Sequence, residues 1–224
     1  MGDNVDAHSS HMCPMGVFVA FGGRNFARVL MWNPAANAFL PQWNTTGPSA
    51  QYGGDWSLVT TTMSVNGEDM NPEGCVVALA WTSASVDRTA LTVTSMLTGK
   101  QFVSWVSPSS ASGYNFPNAV AMDLGYVALG KLASEENSAD IPTLVVFSLT
   151  SKTPSTPVFT YTTPGSVLDV SIIVSPFKYP PLLQSRGDDA ASGEDLVWVA
   201  AASTATDASS GDLDVFRLRF AAAV

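Results

Sequence analysis

The stretch GVFVAFGGRNFARVLMWNPAANAFLPQW, residues 16 to 43, decides how the rest of the chain is read. It opens as a strand apolar on both sides, breaks at Gly22 and Gly23, and resumes as a second strand through Trp32. A turn at Asn33-Pro34 follows, then more extended chain up to Trp43. Short runs of Val, Leu, Phe, Trp and Thr bounded by Gly, Pro, Ser and Asp clusters are the pattern of short β-strands. No stretch keeps an i, i+3, i+4, i+7 apolar spacing over three turns free of glycine, proline or β-branched runs. An all-β chain follows.

Outward from this stretch the pattern repeats. DWSLVTTTMSV (55 to 65), CVVALAW (75 to 81), TALTVTSMLTG (89 to 99) and FVSWVSP (102 to 108) form one quartet of strands. FPNAVAMDL (116 to 124), GYVALGKL (125 to 132), PTLVVFSLT (142 to 150) and PVFTYTTP (157 to 164) form another. SVLDVSIIVSP (166 to 176), DLVWVAAAS (195 to 203) and DLDVFRLRF (212 to 220) open a third, and residues 16 to 43 supply the second, third and fourth strands of an earlier one. Recurrence of four strands every 50 to 70 residues is the organisation of a β-propeller, in which each antiparallel quartet is one blade. The second strands GVFVAFG, GCVVALAW and LVWVAAAS are apolar on both faces, as a sheet packed between two others requires.

VFVAFGG followed by VLMWNPAANAFLPQW resembles a kelch-type blade, with Gly22, Gly23, Trp32, Asn33, Pro34, Asn37 and Phe39 at the pattern's positions and Trp43 slightly late. LTVTSMLTGKQFVSW is closer to the strand, Thr-Gly-Lys turn and strand of WD-repeat-like and quinoprotein-like propellers. These resemblances imply the fold and transfer no functional residue.

The strands sum to about three and a half blades. An unclosed array leaves apolar blade faces in water. The expectation is therefore a partial ring or one completed by self-association or by a second chain; the alternative is a compact four-bladed ring that borrows an N-terminal segment near Cys13. Residues 1 to 12 read as a flexible leader or cloning remnant and 13 to 224 as the propeller domain or segment. Both histidines, His8 and His11, fall in that leader.

Composition narrows function. With 46% hydrophobic and 13% charged residues the chain builds a core easily, and no apolar run approaches the length of a membrane-spanning helix. A net charge of −9 with scattered Lys and Arg disfavours nucleic acid. Without histidine in the folded body, Ser-His-Asp and Cys-His catalysis lose their base. Cys13 and Cys75 pair only if their strands are neighbours; otherwise they are two buried thiols, and either way they make no metal site. Few lysines, abundant Ser and Thr, and the sequon Asn44-Thr45-Thr46 lean toward an extracellular location.

Candidate binding residues are the polar ones in predicted first strands, which line a propeller's channel: Asp55 with Trp56, Asp123, and Asp169. Facing one axis, the carboxylates form an acidic funnel for a basic peptide or a cation, calcium being the ion whose ligands they supply. The competing reading is that each bonds a neighbouring backbone amide. Arg186-Gly187-Asp188 is an adhesion-type tripeptide in a Pro-bounded loop, a pattern that chance also produces. No catalytic residue or cofactor is predicted. The expected function is a non-catalytic module that presents loops and a channel mouth to a protein or glycan. The alternative is a propeller hydrolase or oxidoreductase completed by a cation or by residues outside this chain.

Overall fold

The computed structural model describes residues 5–48, 55–65, 74–83, 88–108, 116–132, 143–175, 194–204 and 210–221. Among them fifteen strands form four antiparallel sheets, each from consecutive strands, and there is no α-helix. Sheet I holds β1 (Ala7–Cys13), β2 (Gly16–Gly23), β3 (Phe26–Asn33) and β4 (Ala38–Thr45). Sheet II holds β5 (Ser57–Val65), β6 (Cys75–Ser83), β7 (Arg88–Ser95) and β8 (Gln101–Val106). Sheet III holds β9 (Pro117–Asp123), β10 (Tyr126–Lys131), β11 (Leu144–Ser148) and β12 (Phe159–Tyr161). Sheet IV holds β13 (Val167–Ser175), β14 (Glu194–Thr204) and β15 (Gly211–Ala221). No helix among the described residues is long and apolar enough to cross a membrane.

The first strands stand side by side: β1 against β5, β5 against β9, β9 against β13. Asn118 at the start of β9 donates to the carbonyls of Val167 (3.1 Å) and Leu168 (2.9 Å) at the start of β13. At the other end Asp123 Oδ2 accepts from the Val174 amide at 2.8 Å, so β9 and β13 run parallel. Sheets that share an inner row of parallel first strands and fan outward are propeller blades.

Three apolar clusters fill the spaces between consecutive sheets. Alternate residues of β6 serve two of them: Val77, Leu79 and Trp81 face sheet I with Phe18 and Trp56, while Val76, Ala78 and Ala80 face sheet III with Val127, Leu129 and Phe147. The third joins Ala128, Leu144 and Val146 to Val170, Val197 and Val199 of sheet IV. The sheets approach closely where side chains vanish. A Cβ on Gly22 would sit 2.8 Å from Leu58 Cδ2, and one on Gly130 2.5 Å from Val167 Cγ1.

Four sequence expectations change. Residues 7 to 12, read as part of a leader, form β1 paired along its length with β2, so both histidines belong to the fold and sheet I has its first strand. A strand whose middle is His8-Ser9-Ser10-His11 carries no local apolar signal; its ladder with β2 makes it a strand. Second, β2 and β14, read as buried on both faces, each have one neighbouring sheet among the described residues. Third, the compact four-bladed ring is not formed: Met12 of sheet I and Ile173 and Leu213 of sheet IV stand 76%, 62% and 69% exposed on the faces that closure would cover. Fourth, the open cysteine question resolves. Cys13 at the end of β1 and Cys75 at the start of β6 are disulfide-bonded with Cα atoms 6.3 Å apart, joining sheets I and II.

Candidate binding surfaces

The four predicted channel residues occupy different settings. Asp55 immediately precedes β5. Arg24 Nη2 donates to its Oδ2 at 2.6 Å and Asn25 Nδ2 to its Oδ1 at 3.2 Å. Those hydrogen bonds, Arg24's first, and the guanidinium's charge hold the carboxyl below its ordinary pKa. Asn25 takes a left-handed backbone, φ 61°, at the β2–β3 turn. There its amide reaches the Trp56 carbonyl at 2.7 Å and its Oδ1 accepts from the Trp56 amide at 3.0 Å. Asn tolerates this conformation better than most residues. The turn of sheet I therefore clasps the start of sheet II, and Trp56 itself is wholly buried between them.

Asp123 is engaged by the Val174 amide, as described above. Asp169 is exposed on β13, beside a register shift, and its Oδ1 accepts from the Val170 amide at 2.9 Å. Asp123 aligns with Val174, five residues beyond Asp169 on the parallel neighbour, which puts the two carboxylates about 16 Å apart along the strands. Asp55 and Asp169 sit toward the starts of their strands and Asp123 at the end of its own. Among the described residues no three His, Cys, Asp or Glu stand close enough to share a metal ion. Arg186, Gly187 and Asp188 lie outside the described residues.

Two features were not singled out from the sequence. Lys131, at the end of β10, is 2% exposed with Nζ 5.9 Å from the Trp105 ring centre, between sheets II and III. Burial pushes its pKa down to about 8. The signal available was a lysine ending an apolar strand, GYVALGK. The other is the outer face of sheet IV. In register across the strands lie Asp169, Ala202 and Leu213; then Ser171, Ala200 and Val215; then Ile173, Trp198 and Arg217. Trp198 is 41% exposed, with the Arg217 guanidinium over its ring at 5.7 Å. The signal was again indirect, since a fully apolar second strand does not reveal which of its faces is covered.

No protein-family model matches the chain, and no curated protein matches it. Among solved structures it is similar to the one described as "Structure of Dos1 propeller", with 12% identity, coverage of 99% of this chain and 68% of that one, and a TM-score of 0.37. A likeness at that level carries no weight of its own, and the blade arrangement rests on the four sheets themselves.

Proposed function

We propose that the chain is a non-catalytic interaction module that uses exposed sheet surface, together with the strand-connecting loops, to hold a protein partner. The observation that carries this reading is the outer face of sheet IV, where Ile173, Trp198, Leu213 and Val215 are all exposed on one continuous surface. Contiguous apolar patches on soluble proteins mark places of association, and an exposed Trp stacked by Arg is the pair most enriched where binding energy concentrates. Aliphatic residues around the Trp favour a protein over a glycan. The alternative of an enzyme completed by a cation draws less support, because Asp55, Asp123 and Asp169 each accept hydrogen bonds from the protein and do not converge. The interlocked cysteines and an exposed Asn44 sequon support an oxidising, extracellular setting for this role.

A photoreactive phenylalanine analogue placed at position 198 in the cells that make the protein tests the reading. Discrete adducts are expected, lost when Leu213 and Val215 are both changed to Asp. Adducts no more frequent than those from the same group at Ala35, an exposed turn position of sheet I, would overturn it.

A further inference from the structure

The outer face of sheet IV has a counterpart at the other end of the array. On sheet I, the face turned away from sheet II carries His8, Ser10 and Met12 on β1, exposed, with Val17, Val19 and Phe21 on β2, half-buried. Phe21 pairs with Arg28 and Val19 with Leu30 on β3, and Trp32 follows on the same side. The two faces therefore expose matching grids, three strands wide and three rows deep.

Registered as consecutive sheets of this fold are, starts of first strands together, the rows correspond in size and charge. Asp169, Ala202 and Leu213 meet His8, Phe21 and Arg28: a carboxylate opposite an imidazole, alanine opposite phenylalanine, and leucine opposite the stem of an arginine. Ser171, Ala200 and Val215 meet Ser10, Val19 and Leu30. Ile173, Trp198 and Arg217 meet Met12, Val17 and Trp32, with large opposite small at the centre and a guanidinium opposite an indole. Within one chain the faces stay apart. We propose that they meet between two copies, sheet IV of each on sheet I of the other, which closes a two-fold ring.

This rests on the reading of sheet IV as a binding surface and names its occupant. Two copies bring eight sheets, four from each, at the upper end of the four to eight blades that propellers close with. Counted over the full seven residues of β1, a face three strands wide at 4.8 Å spacing covers roughly 330 Å², so two such contacts counted on both sides remove roughly 1,300 Å² from water, within the range of stable dimers. Each contact joins unlike patches, yet the two-fold makes the pair of contacts equivalent and leaves no open end to grow a fibre.

Sedimentation velocity on the full chain, at concentrations up to about 100 µM, is expected to give a particle of twice the 23.5 kDa chain mass. Asp169→Lys places a cation before His8 where the carboxylate stood, and His8→Asp places a carboxylate before Asp169; each variant alone is expected to be monomeric. Mixed in equal amounts they are expected to recover the dimer, because both contacts of the mixed ring are again complementary, and recovery also proves that each variant is folded. A wild-type monomer throughout, or a dimer indifferent to both changes and to Trp198→Asp, overturns the proposal. Cross-links from position 198 separate this failure from that of the broader reading: adducts to another protein alone sink the two-copy ring and leave the interaction surface standing, whereas no adducts sink both.

Discussion

β6 of sheet II and β14 of sheet IV are second strands of similar composition, CVVALAWTS and EDLVWVAAAST, yet they are buried differently. Eight of the nine residues of β6 are buried. Along β14, Val197, Val199, Ala201 and Ser203 are buried while Trp198 is exposed and Ala200 and Ala202 are partly so. The difference lies in the number of neighbours: among the described residues sheet II has a sheet on each side, and sheet IV has sheet III alone. Apolar content on both sides of a strand thus records the surroundings it is built for, and β14 carries a second apolar face that this single chain leaves uncovered.

The junction between sheets I and II differs further from the rest in being cross-linked, and the largest expected effect comes from undoing that. Replacing Cys13 and Cys75 together by Ala opens a loop of 62 residues' separation, and is expected to cost about 4 kcal/mol on chain-entropy grounds. Urea unfolding of the double variant checks it. A loss below about 1 kcal/mol would mean that the I–II cluster around Phe18, Trp56 and Trp81 holds the junction unaided.

The central comparison sharpens with a pair of truncations. Leu79→Ala in β6, at 0% exposure, is expected to cost about 3 kcal/mol. Ile173→Ala on the open face of sheet IV, at 62% exposure, is expected to stay within about 0.5 kcal/mol in dilute solution, where copies are separate. Raising protein concentration should enlarge the second effect and leave the first unchanged, since only the open face gains contacts on association. Equal costs at low concentration would mean that both faces of sheet IV are already covered.

How far this was legible in the sequence follows from the same physics. The quartets of extended runs are local, because each strand's apolar content is set by the sheets it touches, and β5 to β12 fall where those runs predict. β1 was not legible: its middle, His8-Ser9-Ser10-His11, is polar on both faces, and only pairing with β2 defines it. The disulfide required knowing that β1 lies beside sheet II. Asp55 and Trp56 were recognisable as notable residues of a strand's start, but their use as the grip of Asn25 depends on a left-handed backbone thirty positions earlier. Asp123 likewise finds its donor, Val174, fifty-one positions on. Whether a face is open, as at Trp198, is a count of neighbours that no single strand encodes.

The II–III junction contains the one buried lysine among the described residues, and its titration separates that junction from the other two. Below pH 8 Lys131 is protonated both folded and unfolded, so the full cost of burying the charge is present. Between about 8 and the ordinary 10.5 the folded protein holds it neutral while the unfolded chain still binds the proton, and stability rises with pH. Such a displacement corresponds to roughly 3 kcal/mol. Lys131→Met should therefore stabilise the protein at neutral pH by about 2 kcal/mol, once loss of the contact with the Trp105 ring is allowed for. It should also remove the upward slope. Chemical denaturation at pH 7 and pH 10 measures both, and a slope unchanged in the variant would place its origin elsewhere.

The smallest expected effect returns to sheet I. Trp43 on β4 donates its indole Nε1–H to the carbonyls of Ser95 and Met96, each at 3.0 Å, in the turn between β7 and β8 of sheet II. Its ring lies against Gly99, whose φ of 70° suits a residue without a side chain. Trp43→Phe keeps most of the ring's packing and removes the donor. The site is only partly buried, so water can take over the two carbonyls, and the expected loss is about 1 kcal/mol rather than the full penalty of an unsatisfied group. Amide hydrogen exchange localises it: faster exchange at Thr98 and Gly99 with unchanged rates in β10 and β11 is the expected outcome. Acceleration spread evenly over all four sheets would show instead that the blades unfold as one unit and that the I–II contact has no stability of its own.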